Sequence, residues 1–219
     1  MQPSTESRLG PMKILRTIIP LTVAFSLSLT TASALPVTHN SSSDEPEPTT
    51  VSFEQAFGLS PDEIIEVEPG EEFSLGEAVK YEEKTGRAGL TGSIVVATVT
   101  CTGSYDYPHP STYSSKQTIN AHLVVICKGT GGYERKTTLR IQTRMTDGTR
   151  LGLVNTENSL YGSARKGGDL KCTYSPAAYR AIGTAAITFP VGFTPAYGNF
   201  GIKSAVKSFK HNGKECAAY

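Results

Sequence analysis

The feature that most constrains this chain is the run from Tyr179 to Phe189, which alternates without a break and stops at Pro190. Tyr179, Ala181, Gly183, Ala185, Ile187 and Phe189 fall on one face; Arg180, Ile182, Thr184, Ala186 and Thr188 fall on the other. A period of two is that of a β-strand. The turn pair Ser175-Pro176 opens the run and the proline closes it. A strand keeps its backbone N–H and C=O groups unpaired until neighbours flank it, so the chain has to build a sheet around this one.

The C-terminal part supplies the neighbours. Ser93–Cys101, Ile119–Cys127, Lys136–Met145, Arg150–Val154, Leu160–Arg165, Asp169–Tyr174 and Phe200–Phe209 are rich in β-branched or alternating residues, with Gly-rich turns between them. Asp147-Gly148 is a hairpin dipeptide. Short strands with turns at this spacing predict an all-β fold, an immunoglobulin-like antiparallel β-sandwich. Tyr179, after a turn and at the start of a late strand, stands where a tyrosine corner belongs. Two residues on, where immunoglobulin domains carry a cysteine, this chain has Ala181.

The cysteines are Cys101, Cys127, Cys172 and Cys216, all in this part. Their spacing lacks the close pairs of a zinc site; an even set in an exported chain predicts two disulfides. Three pairings are open. Position favours Cys127 with Cys172, each beside a core strand, and Cys101 with Cys216, which bracket the domain.

Export is predicted by the N-terminus. Arg8, Lys13 and Arg16 precede the apolar stretch Thr17–Thr30, and Ala32-Ser33-Ala34 is a small-x-small cleavage site. Residues 1–34 read as a signal peptide, too short in its apolar part for a membrane span. Met12 is an alternative start. The predicted location is extracellular, without stable membrane insertion after cleavage.

Residues 35–92 read as an acidic linker or pro-like segment, disordered at first and partly helical later. Leu35–Thr50 is a Ser/Pro/Thr-rich linker holding the sequon Asn40-Ser41-Ser42. Ser60-Pro61-Asp62-Glu63 has the form of a capping box opening a helix, and Leu75–Lys84 reads as a second one. Residues 35–92 carry thirteen acids against three bases; residues 93–219, the predicted domain, carry fifteen Lys/Arg against six acids. An acidic leader and a basic domain nearly cancel.

Tyr107-Pro108-His109, Ile119-Asn120-Ala121, the paired cysteines and Ala185–Pro195 together resemble small secreted disulfide-containing β-sandwich proteins of unassigned function common in actinobacteria. The resemblance spans about Cys101 to Cys216. It implies a secreted Gram-positive origin and brings no catalytic residues.

No G-x-S-x-G elbow and no H-E-x-x-H occurs, and no catalytic residue, metal or cofactor is predicted. The loop Thr102–Ser115 gathers Tyr105, Tyr107, His109 and Tyr113 around Pro108 and Pro110. Stiff tyrosine-rich loops suit contact with sugars or proteins. Thr138, Arg140, Gln142 and Arg144 share one strand face, a basic stripe able to attract an anionic polymer. His122 lies in a strand, on a solvated or hydrogen-bonded face.

Three functions follow as expectations. The first is a non-enzymatic binding protein whose Tyr loop and basic face meet a cell-wall or anionic polysaccharide or a protein, with no nucleic acid expected. The second is a proprotein whose acidic segment masks a cationic antibacterial or inhibitor domain until cleavage near Lys84–Arg87. The third is a secreted hydrolase with a dispersed Ser-His-Asp site.

Overall fold

The computed structural model describes residues 51–86, 89 and 91–219. The signal peptide, its cleavage site, Met12 and the Asn40 sequon lie outside the described residues. The described chain holds one short helix, α1 (Phe53–Phe57), and strands β1 (Glu63–Val67), β2 (Glu72–Thr85), β3 (Thr91–Tyr105), β4 (His109–Pro110), β5 (Thr118–Gly129), β6 (Thr138–Thr146), β7 (Asn155–Ser159), β8 (Ser163–Lys171), β9 (Ala177–Thr188), β10 (Phe193–Thr194), β11 (Tyr197–Ser204), β12 (Lys207–His211) and β13 (Cys216–Ala218), with a 3-10 turn at Tyr133–Lys136.

The strands form two sheets. β9 is the centre of the first. β6 flanks one side, pairing Thr138–Thr146 with Arg180–Thr188, and β7 lies outside β6. β11 and β12 together flank the other side, with β1 parallel to β11 and β13 outside β12. The second sheet runs β10, β2, β3, β5, β8, with β4 pairing the start of β5. The inward residues of β3, β5, β6 and β9 make the core: Val99, Cys101 and Tyr105; Ile119, Leu123 and Val125; Leu139, Ile141 and Met145; Tyr179, Ala181, Ala185 and Ile187. The alternation predicted for β9 is thus observed. Its outer face is buried too as far as Thr184, because α1 lies over this sheet. Phe53 packs against Gly201, where a Cβ would stand 2.9 Å from its ring.

The helices predicted for the acidic segment are absent. Ser60–Glu63 opens no helix; Asp62 N donates to Asn199 O at 2.9 Å and β1 then follows β11. Between Ser60 and Pro69-Gly70 there is no room for a stable helix, while the edge of β11 offers a ready ladder. The capping box is real but eight residues earlier: Ser52 Oγ accepts from Gln55 N, and Gln55 Oε1 accepts from Ser52 N, both at 3.1 Å. Leu75–Lys84 belongs to β2. Its Leu75 and Ala78 both point inward because a bulge between Ser74 and Glu77, with Gly76 at φ 97°, slips the register by one. Two inward residues three apart imitate helical spacing. The acidic segment therefore contributes two strands to the sheets, β1 to the first and β2 to the second.

Two further strands lie elsewhere than the sequence predicts. Arg150–Val154 makes only a single bridge, Leu151 to Thr146, and the returning strand is β7. Gly167-Gly168 is no turn; β8 passes straight through it. Gly168 lets β8 approach β6, where a Cβ would sit 2.7 Å from the Arg144 backbone.

The disulfides are Cys101–Cys127 and Cys172–Cys216, so the pairing of Cys127 with Cys172 and Cys101 with Cys216 is overturned. Cys101 and Cys127 are direct cross-strand partners on β3 and β5, with Cα atoms 4.0 Å apart. Opposed inward cysteines on adjacent strands reach each other before any distant one. Cys172, just past β8, ties to Cys216 on β13.

Candidate functional site

The structure divides the predicted contact residues. Tyr105 is fully buried, its hydroxyl bonded to Thr143 Oγ1 between the sheets. Burial removes solvent from the phenolate form and pushes its pKa well above the usual tyrosine value. It is a core residue, not a contact residue. Tyr107 is half exposed with the Lys207 ammonium over its ring at 5.4 Å, and Tyr113 is fully exposed at the loop tip. The base of the loop is fixed. Ser115 and Lys116 both adopt left-handed backbone, at φ 51° and 62°; Lys116 N donates to Ser111 O at 2.7 Å, and the Lys116 carbonyl accepts from Cys216 N at 2.8 Å. Gln117 Nε2 donates to Lys214 O. The loop is thus tied to the C-terminal hairpin beside the Cys172–Cys216 bridge.

The basic stripe shares one face of β6 as predicted, but its members differ. Arg140 is exposed. Arg144 is engaged: its Nε donates to Gly152 O at 2.9 Å and its Nη1 donates to Ala56 O, anchoring α1. Burial lowers its pKa. Arg144 is a structural clamp, so the stripe narrows to Arg140 with Arg135 and Lys136 beyond its end.

A polar cluster forms where the sequence offers His109 as a contact residue and places His122 on a solvated or hydrogen-bonded strand face. On β5, odd positions from Ile119 to Cys127 point inward, leaving Asn120 and His122 on the outer face. β4 sets His109 opposite Asn120; β8 sets Asp169 opposite Asn120, Gly167 opposite His122 and Arg165 opposite Val124. Asp106, at the end of β3, is held by its own N–H to His122 O at 3.1 Å.

His122 Nδ1 lies 2.9 Å from Asp106 Oδ2. An ionised carboxylate only accepts, so Nδ1 carries the proton and Nε2 presents a lone pair in the neutral ring. Arg165 Nη2 stands 3.6 Å from the same Asp106 oxygen, and the His109 ring stacks beside His122 with centroids 5.9 Å apart. Burial, the Arg165 cation and His109 hold the His122 pKa below the ordinary histidine value against the pull of Asp106. His109 Nδ1 donates to Tyr107 O at 2.8 Å.

Asn120 Nδ2 donates to Asp169 Oδ1 at 2.7 Å, which fixes the amide's orientation. Its Oδ1 is buried and has no hydrogen-bond partner among the described residues. The His122 ring lies across Gly167, and a Cβ there would be 2.9 Å from Asn120 Oδ1 and 3.0 Å from His122 Nε2. The Asn120 amide and the His122 ring therefore pack directly on the bare Gly167 backbone, where a methyl group would collide with both.

An aspartate-oriented imidazole is part of a hydrolytic site; among the described residues no hydroxyl is hydrogen-bonded to His122, and no His/Cys/Asp/Glu group is arranged to hold a metal. The alternation that puts Asn120 and His122 outward was readable; their convergence with Asp106, Asp169 and Gly167 depends on a loop and on β8 pairing from elsewhere in the chain. No protein-family model matches this chain, and no curated protein or solved structure matches it, so the resemblance to secreted actinobacterial proteins rests on the residues quoted for it alone.

Proposed function

We propose that the chain is a non-enzymatic, extracellular binding module that meets a cell-envelope or extracellular partner through the 106–116 loop and the adjoining outer face of the second sheet. The observation that carries this is the contrast within the loop. Tyr113 is wholly exposed, while the base beneath it is tied to the C-terminal hairpin by the Cys216 N–H on the Lys116 carbonyl and by the Gln117 amide on the Lys214 carbonyl. A rigid mount presenting an aromatic side chain loses little entropy on binding. Two disulfides are consistent with an oxidising, extracellular setting, and among the described residues no helix is long and apolar enough to cross a membrane. Arg140 stands on the outer face of the other sheet, so it and the loop serve separate contacts. We read the sandwich as immunoglobulin-like, a reading supported by the corner bond from Thr173 N to the Tyr179 hydroxyl.

The proprotein alternative would need β1 and β2 stripped away, which takes the buried Val67, Leu75 and Ala78 out of the core and uncovers the residues they pack against. The hydrolase alternative has an oriented histidine but no nucleophile bonded to it.

The test is co-sedimentation of the oxidised chain with purified Gram-positive cell walls. Binding is expected for the wild type, with a loss of about tenfold in Tyr113→Ala and little change in Arg140→Ala. No sedimentation, or a Tyr113→Ala variant that binds as tightly as the wild type, removes the proposal.

A further inference from the structure

β3 is flanked on both sides only over its second half. From Val99 to Tyr105 it lies between β2 and β5. Thr98 closes that ladder: its N–H donates to Thr130 Oγ1 at 3.2 Å, and its carbonyl accepts from Thr130 N at 3.1 Å. Over residues 91–97, among the described residues, β2 is its one ladder partner. The outer edge of β2 is in turn met by β10 at Val79 and Lys80. Residues 81–85 and 91–96 therefore form a two-stranded arm, and every one of them is exposed.

A two-stranded ribbon by itself is marginal in water. This one nevertheless displays Tyr81, Ile94, Val95 and Val96, between 39 % and 53 % exposed. Its two halves differ in charge. The β2 half holds Glu82, Glu83 and Lys84, whereas residues 91–98 of β3 hold no charge and no proline. The backbone N–H and C=O groups along that edge thus lack the charges and prolines with which exposed edges are kept from pairing.

We propose that the chain associates with a second copy of itself by antiparallel pairing of residues 93–97 across a two-fold axis. The strands then run β2, β3, β3, β2 from one copy to the other. Charge selects both the occupant and the edge. A two-fold contact sets a surface against itself, and like charges directly opposite are destabilising. Along β3 every antiparallel register sets uncharged residues against uncharged ones, and the acidic pair of each copy stays one strand further out. Pairing through the β2 edge would instead bring Glu82 and Glu83 of the two copies together. The chain's own residues 35–50 suit the edge poorly. Pro36, Pro46 and Pro48 have no N–H to give a ladder, and Val51 leads into α1, over the other sheet. The arm and the 106–116 loop lie at opposite ends of β3, so pairing leaves the loop open and the dimer carries two of them.

The test is the mass of the oxidised chain by size-exclusion chromatography with light scattering. A dimer is expected at about 100 μM, dissociating to a monomer near 1 μM. Val95→Lys and Ile94→Lys each place a charge on the exposed arm of both copies. Each should raise the dissociation constant about tenfold while the Tm of dilute protein stays that of the wild type, and either variant suffices if the other fails to fold. Hydrogen exchange should show amides of residues 92–97 gaining protection in the dimer over the monomer.

Three results overturn the proposal: a monomer at the higher concentration; a dimer of undiminished affinity in a folded variant, which puts the contact on another face; or equal protection of residues 92–97 in monomer and dimer, which gives the edge to the chain's own residues. A strictly monomeric chain that still sediments with cell walls removes the dimer and leaves the binding module standing.

Discussion

The Thr173 amide donates to the Tyr179 hydroxyl at 3.0 Å, closing a corner six residues wide between β8 and β9. The Thr173 hydroxyl lies 3.3 Å from the same oxygen, and the Tyr179 ring is buried edge-on to Phe209. Tyr179→Phe keeps the ring and removes only the bonds. The expected cost is about 1 kcal/mol, a fall in Tm of about 3 °C, measured by thermal unfolding of the oxidised protein. An unchanged Tm would mean that the corner is held by packing alone.

The disulfide pairing has a direct chemical readout. Non-reducing peptide mapping should find the Cys101 peptide joined to that of Cys127, and Cys172 to Cys216. Any mixed pair contradicts the fold. With sequence separations of 26 and 44, the chain-entropy relation gives about 3.5 and about 4 kcal/mol for the two bridges. Replacing Cys172 and Cys216 by serine should also loosen the base of the 106–116 loop, because the amide of Cys216 bonds the Lys116 carbonyl. Faster amide exchange at residues 114–118 is the expected sign.

What could be read from the sequence divides along a physical line. β9 is legible because its alternation is uninterrupted, and Tyr179 because a corner is a local motif. β2 is not, because a bulge at Gly76 puts Leu75 and Ala78 on one face at a spacing that a helix also produces. Gly167-Gly168 looks like a turn; only the close approach of Arg144 and the His122 ring explains glycines inside a strand. Tyr105 and Tyr107 have the same chemistry two residues apart, and the point where β3 ends puts the first in the core. Cysteine pairing and the polar cluster depend on which strands become neighbours, and no local pattern carries that information.

Two titrating groups should shape stability in separate pH windows. Asp147 is 3 % exposed and is desolvated, which alone would raise its pKa. Bonds from the Arg150 amide and guanidinium and from Thr149 outweigh this and hold it below 3.8. Its stabilisation is full above 3.8 and is lost as pH falls through the folded-state value. His122 works at higher pH. Its folded pKa is below 6.5, so the unfolded chain binds more protons and stability falls as pH drops from 6.5 toward the folded value. Arg165 and His109 face the ring and oppose its charge, while Asp106 favours it. Denaturant melts from pH 8 to 3 should lose the upper step in His122→Gln and the lower one in Asp147→Asn. A wild-type curve flat between pH 6.5 and 5 would contradict the first.

The domain should not fold without β1 and β2. β2 pairs with β3 along almost its whole length, and β1 extends the other sheet beside β11. A chain starting at Ser93 loses both. It uncovers one edge of each sheet and exposes the neighbours of Leu75, Ala78 and Val67 in the core. Burial of one leucine alone contributes about 1.5–3 kcal/mol, and domain stabilities are only about 5–15 kcal/mol. Such a chain should bind a hydrophobic dye, lose its near-ultraviolet circular dichroism and aggregate through the freed edge of β3. Cleavage confined to the β2–β3 connection near Lys84 should behave differently. The two pieces share no disulfide, yet the β2–β3 ladder below the cut should hold them together through size-exclusion chromatography until denaturant is added. A soluble, cooperatively folding chain from Ser93 would return the acidic segment to the role of a removable leader.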